Sequence, residues 1–301
     1  MSTTKLNGFV LVDKPGGWTS HDVVAKMRGL AGLRKVGHAG TLDPMATGLL
    51  VLGLGRSTRL LRFVQLAPKR YVATAKLGVA TDSLDADGAV VWREPMPVDE
   101  SEVAGVLDRF RGPILQVPPM VSARKVEGTR LYELARKGSE VEREARAVTI
   151  THLEIVDFAP CDYPEITFEV TCSTGTYVRT LADDIARALG GRAHLIELRR
   201  LTNGSLDVAD AFEIEALETL ADEGRLGDAV LTPAAGLPDL ASVVVDAQTA
   251  AAVGNGVALG PGSLQAGLPP DGPIRVLDGD GRLLAVYRVE AGRARPEVVF
   301  S

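Results

Sequence analysis

The stretch GHAGTLDPMATG, residues 37–48, has neither a helical nor a strand period, and Gly37, Gly40 and Pro44 mark an ordered loop across residues 36–47. Asp43 lies inside it, between Gly40-Thr41-Leu42 and Pro44, in a segment with few other acids. A carboxylate so placed can act as a nucleophile if something keeps it ionised and aimed. An arginine is the natural partner, because its charge lowers the Asp pKa and its fork fixes the orientation. Arg179 is the candidate. It falls in the first turn of a predicted helix, where the dipole disfavours a cation and an anionic partner would account for it. From spacing alone a turn-forming Asp and an ordinary surface Arg explain the same residues, and that plainer account is preferred.

Upstream of the loop, Gly8–Asp13 reads as a strand ended by Lys14-Pro15-Gly16-Gly17. Thr19 and Asp22 fit a capping box, followed by a helical stripe of Val23, Val24, Met27 and Leu30. Downstream, Gly48–Leu54 is a buried-strand candidate and Ser57–Val64 a short helix. Tyr71–Gly78 and Ala89–Arg93 alternate around an Asp/Gly turn, which predicts neighbouring strands. Val98–Phe110 reads as a helix closed by Gly112-Pro113. Residues 118–147 open on Pro118-Pro119, hold six Lys/Arg before Glu144 and contain a short basic helix, Leu131–Lys137; they read as an excursion from a sheet. Val148–Ala159 and Glu165–Ser173 are predicted strands, and Thr176–Leu189 a helix with Val178, Leu181, Ala182, Ile185 and Leu189 inward. Acidic, Ala-rich helical sequence is expected to about Leu231, with a linker at Pro233–Pro238. The last 65 residues, with the turn Asp278-Gly279-Asp280-Gly281, predict a small β domain.

A 301-residue chain with 46% hydrophobic and 24% charged residues buries a core with room for two domains, which excludes wholesale disorder. No apolar run approaches the ~18 residues of a spanning helix. Met1–Lys14 lacks a signal-peptide pattern, and Cys161 and Cys172 are too few for a disulfide scaffold, so a soluble, cytoplasmic protein is expected. Net charge is −6, but residues 1–70 carry 11 Lys/Arg against 3 Asp/Glu, while residues 201–301 carry 6 against 15. The basic first quarter could hold RNA, DNA or a phosphorylated ligand; a solvated basic face explains it as readily.

Several motifs fail on inspection. Ser20-His21-Asp22 has the letters of a triad, but consecutive helical residues do not face one another. Gly53-Leu54-Gly55-Arg56-Ser57-Thr58 lacks the third glycine of a dinucleotide loop and the Gly-Lys-Ser/Thr of a P-loop. The histidines at 21, 38, 152 and 194 have no metal-ligand spacing. Ser83, Asp85, Asp87, Gly88 and Glu94 match positions of a calcium loop, but their strand-like flanks favour a hairpin turn.

Residues 37–48 nevertheless resemble the catalytic signature of the bacterial tRNA pseudouridine-55 synthases. Lys14-Pro15 with Thr19-Ser20-His21-Asp22, Lys69-Arg70-Tyr71, Thr81-Asp82 with Asp85-Ala86-Asp87-Gly88, Ser173–Arg179 and Leu198-Arg199-Arg200-Leu201 resemble further family motifs in family order, over about residues 8–205. The resemblance implies that Asp43 is the catalytic carboxylate, that Tyr71 stacks on the target base and that Arg179 pairs with Asp43. Tyr177 and Leu198 would line the pocket. His38, Lys14, Lys69, Arg70 and Lys125 would contact RNA, with residues 118–147 as a closing thumb. There the family's Tyr-Ser-Ala is replaced by Val121-Ser122-Ala123, followed by Arg124.

The fold implied is α+β: a mixed, largely antiparallel sheet flanked by helices over residues 1–235, and a PUA-like β domain over 240–301. The activity implied is conversion of uridine 55 in the tRNA T loop to pseudouridine by a monomer, with no cofactor, metal or membrane. The alternative is a noncatalytic tRNA-binding or RNA-folding protein. It shares the basic face but does not need Asp43.

Overall fold

Both faces of the first strand, β1 (Gly8–Lys14), are buried, so its alternating side chains serve two different cores. Val10 and Val12 point to one, Phe9 and Leu11 to the other. Helix α1 (Ser20–Ala31) starts at the expected Thr19–Asp22 capping box and stops at Gly32 in the left-handed conformation. The chain continues through β2 (Val36–His38), β3 (Thr47–Leu54), a 3-10 turn, α2 (Leu61–Val64), β4 (Lys69–Leu77), β5 (Val79–Thr81), β6 (Val90–Arg93), α3 (Glu100–Leu107) and β7 (Gly112–Gln116). Two short strands follow, β8 (Lys125–Val126) and β9 (Thr129–Arg130), then β10 (Arg146–Ala159), β11 (Glu165–Cys172), α4 (Val178–Ala188), β12 (Ala193–Asn203), β13 (Leu206–Asp207) and α5 (Ile214–Asp222). The last elements are β14 (Ala241–Val244), α6 (Ala247–Gly254), β15 (Gly272–Leu277), β16 (Leu283–Glu290) and β17 (Arg293–Val299). The structure, a computed structural model, describes residues 6–119, 125–126, 129–130, 143–260 and 269–300.

The large sheet runs β1-β3-β12-β4-β11-β10-β7, with β2 on β3 and β13 on β12. Its pairings are antiparallel except β3 with β12, where Arg199 faces Thr47 and Arg200 faces Gly48. Helices α1, α3, α4 and α5 cover one face through Val23, Met27, Val103, Leu181, Ile185 and Leu217. The second sheet, β14-β15-β16-β17, covers the opposite face of β1 and β3. Leu283, Val286 and Val298 pack there with Phe9, Leu49, Leu60 and Phe63. Three arginines close this seam. Arg56 donates to the Phe300 carbonyl, Arg59 to the Val299 carbonyl at 3.1 Å, and Arg62 to the Glu297 carboxylate at 3.2 Å.

The architecture is the expected mixed α+β one, with four local corrections. Residues 193–203 form a central strand, β12, where helical sequence was expected; its polar side chains are engaged by neighbouring strands and mask any apolar period. Ala89–Arg93 pairs with β5 and not with the Tyr71 strand, because Gly78, at φ +80°, turns the chain between β4 and β5. Val36–His38 is a strand on β3 rather than loop, and the 57–64 helix is broken at Leu60. Within residues 118–147 the described strands β8 and β9 pair with each other, and the helix expected at Leu131–Lys137 and the Val121 and Arg124 departures lie outside the described residues.

Candidate active site

Strands β2 and β3 form a hairpin whose loop, residues 39–46, carries Asp43. Polar anchors hold that loop. Ser20 Oγ accepts from Leu42 N at 2.9 Å and donates to Leu42 O at 3.1 Å. Lys14 Nζ donates to the carbonyls of Trp18 (2.6 Å), Pro15 (2.8 Å) and Pro44 (3.2 Å). Arg200 donates to Gly40 O at 3.2 Å and to Leu49 O at 2.7 Å. Gly48, at φ +96°, is required where β3 meets β12: a Cβ there would lie 2.3 Å from the Arg200 carbonyl.

The structure brings Asp43 and Arg179 together. Arg179 Nε lies 3.0 Å from Asp43 Oδ2, and its Nη2 donates to Asp43 Oδ1 at 3.3 Å. The arginine sits in the first turn of α4 and has a second anionic partner: Nη1 donates to Asp85 Oδ2 and to Ser83 O, both at 2.8 Å. Arg179 and Asp85 are buried, whereas the Asp43 side chain keeps 32% exposure. Burial pushes the Asp43 pKa above the ordinary carboxylate value, and Arg179 pulls it back only in part. The lowering expected from the ion pair is thus outweighed by desolvation.

Asp85, in the family-like Asp85-Ala86-Asp87-Gly88 run, is the second carboxylate on Arg179. The 83–88 segment is indeed a hairpin turn between β5 and β6, with Ser83 Oγ donating to Asp85 Oδ1. Among the described residues no cluster of His, Cys, Asp and Glu is placed to hold a metal.

A cavity of about 350 Å³ opens at Asp43, lined also by Gln65, Lys69, Tyr71, Tyr177, Leu198 and Arg200. Tyr71 on β4 stands directly opposite Arg200 on β12. Burial pushes the phenol pKa up and the guanidinium opposes that. Tyr177 precedes α4, and its backbone exchanges two hydrogen bonds with the Gln116 amide, at 2.9 and 3.1 Å.

The expected RNA contacts fare differently. Lys14 is fully buried and holds three carbonyls, so it anchors the Asp43 loop and does not face solvent. Lys69 is also buried, donating to Gln65 O and Ala67 O. Desolvation lowers both lysines to about 8. Arg70 pairs with Glu169 at 3.5 Å. His38 is half-buried, edge-on to His21 with centroids 5.5 Å apart, and is not in the cavity wall. Of Lys125 only the backbone is described. The basic first quarter is mostly committed within the protein: Lys26 pairs with Glu218, Arg28 donates to Val36 O, and Arg56, Arg59 and Arg62 hold the second sheet. Arg34 and Lys35 stay exposed.

Three family models match in sequence. Residues 28–178 match the TruB family pseudouridylate synthase N-terminal domain, 179–237 the tRNA pseudouridylate synthase B C-terminal domain, and 240–301 the tRNA pseudouridine synthase II C-terminal domain. The chain belongs to the TruB family of pseudouridylate synthases. It is 43% identical to the tRNA pseudouridine synthase B of Thermobifida fusca, over 98% of this chain and 99% of that one. It is 44% identical to the enzyme of the same name from Burkholderia pseudomallei, over 99% and 98%. Among solved structures, a crystal structure of a Cbf5-Nop10-Gar1 complex superposes with a TM-score of 0.76 at 25% identity, over 98% of this chain and 84% of the other. In this TruB-family chain the site is split between the first two matched regions: Asp43, Tyr71 and Asp85 come from one, Arg179, Leu198 and Arg200 from the other.

Proposed function

We propose that this chain isomerises uridine to pseudouridine at position 55 in the T loop of tRNA, with Asp43 as the catalytic carboxylate. The observation that carries this reading is the partly exposed Asp43 carboxylate held on a buried arginine at the wall of a cavity lined by Tyr71, Tyr177 and Leu198. The cavity volume falls at the low end of small-ligand sites, about 300–1,000 Å³, in keeping with one extruded base.

The isomerisation breaks N1–C1′, rotates the uracil, joins C5 to C1′, releases the C5 proton and places one on N1. Atoms and electrons balance without a donor, so no cofactor is invoked. Attack of Asp43 on C1′, addition to C6 or removal of a ribose proton each needs an ionised, aimed carboxylate. Arg179 opposes the desolvation that would neutralise it. Tyr71 offers a ring for stacking and a phenol oxygen that can take the C5 proton. Folded T-arm shape and phosphate contacts would select the target, with residues 118–147 as the closing segment and 240–301 as a PUA-like appendage.

The test is tritium release from tRNA labelled at uracil C5. One equivalent should be released from parent tRNA and none when uridine 55 is replaced by cytidine. Binding without release would favour the noncatalytic reading, and undiminished release from the cytidine-55 tRNA would move the target elsewhere.

A further inference from the structure

We propose that Arg200 is a positioning residue for the reaction: one buried guanidinium holds the Tyr71 phenol in register with the loop that carries Asp43. This rests on the functional reading above and adds to it a residue outside the Asp43–Arg179 pair.

Three observations carry it. Arg200 is only 1% exposed and lines the same cavity wall as Tyr71. It faces Tyr71 directly across the antiparallel β12–β4 pairing, and its guanidinium charge acts on the phenol. The same side chain donates to Leu49 O on β3 at 2.7 Å and to Gly40 O in the Asp43 loop at 3.2 Å. A planar fork can hold carbonyls on two segments while its charge faces the phenol on a third strand, and an ammonium cannot reproduce that geometry. No carboxylate bonds to Arg200 among the described residues, whereas Arg179 is shared by two, so no acid quenches the charge that Arg200 presents beside the phenol.

The charged and titratable groups around Tyr71 are Arg200 from β12, Cys172 from β11 and Asp43 from its loop. Arg200 is also felt by Lys69, Lys14 and His38. Of the groups acting on Tyr71, only Arg200 favours the phenolate; burial, Cys172 and Asp43 oppose it. The proton released from C5 needs an acceptor, and a phenol oxygen accepts it only as phenolate. Removing the guanidinium therefore moves the alkaline rise of the product-forming rate to higher pH.

The experiment compares the parent with Arg200→Gln and Arg200→Lys in single-turnover pseudouridine formation from pH 6 to 9.5. In parallel, the Tyr71 Cζ resonance is followed in 13C-tyrosine-labelled protein, assigned by its loss in Tyr71→Phe. Arg200→Gln should be about 100-fold slow across pH 6 to 9.5, the scale of one general acid–base contribution, because the Tyr71 phenol titrates above that range with or without the guanidinium and both rates rise in parallel. Arg200→Lys, which keeps the charge, should lose less, and tRNA affinity should stay within about threefold. The Tyr71 resonance should move in both variants. A rate loss as large in Arg200→Lys as in Arg200→Gln, or an unmoved resonance in Arg200→Lys, overturns the assignment; the lysine variant's resonance decides alone if the glutamine variant does not fold. A parent that forms no pseudouridine overturns the functional reading instead, and the resonance, which needs no turnover, tells the two failures apart.

Discussion

Helix α4 carries two clusters of buried charge, and they are opposite in design. Near its N-terminus Arg179 is shared by two carboxylates, Asp43 and Asp85. One turn later Asp183 accepts from two arginines, Arg187 at 2.8 Å and Arg192 at 2.7 Å, and from Ala193 N at 3.2 Å. Asp183 is 5% exposed and its acceptor sites are filled, with the surplus guanidinium charge facing outward. At the other cluster the surplus charge is a carboxylate, and the exposed member faces the cavity. A saturated buried ion is a structural part. The same chemistry with one acceptor left open to a cavity is a reactive part.

The sharpest way to break this comparison is Asp43→Asn. Turnover should fall below detection with tRNA affinity within a few-fold, because an amide keeps the size and loses the charge. Burial raises the folded pKa of Asp43, so at pH 7 its ionised form works against folding, and the variant should melt no lower than the parent. Multiple turnover by the pure variant, or a clear drop in Tm, would undo the contrast. Arg179→Lys comes next: charge is retained, the fork is lost, and the single-turnover rate should drop about 100-fold.

Asp183→Asn should behave in reverse. Breaking a buried, hydrogen-bonded pair costs about 3 kcal/mol in urea unfolding, while the rate of the folded variant stays within about twofold. The smallest effect concerns its neighbour. Burial and the Asp183 charge raise Asp184 to about 6. The folded state then holds a proton between about pH 4 and 6 that the unfolded chain has released, so stability falls as pH rises through that window. Asp184→Asn should flatten that slope in melting curves, and an unchanged slope would show that Asp184 is not its source.

The legible parts of this fold are those whose local signal and tertiary role agree. The capping box at Thr19, the alternation of β1 and the helix carrying Arg179 were readable because burial alone decides them. The strand β12 was not. Glu197, Arg199 and Arg200 interrupt its apolar pattern, and they are tolerated because Arg199 meets Asp13 at 2.6 Å and Arg200 meets carbonyls of other strands. Asp43 and its partner were legible through motif and dipole reasoning. The inward turn of Lys14 and Lys69 was not, since a lysine's letter does not say whether carbonyls await its ammonium. Asp85 was legible as a motif acid in a hairpin turn, but nothing in that turn's local pattern names Arg179 as its partner.

The arginine seam between residues 56–62 and 297–300 also sets an order of events during synthesis. Its two sides are separated by about 240 residues. At about 5–20 residues per second the first side leaves the ribosome roughly 12–48 s before the second. Throughout that interval Phe9, Leu11, Leu49 and Val51 present an oily surface on a partly built sheet, with nothing from Leu283, Val286 or Val298 to cover it. A nascent chain in that condition is a client for holdase chaperones and a substrate for proteases, and its half-life, rather than its chemistry, is where changes at Arg59 or Val298 would first be felt.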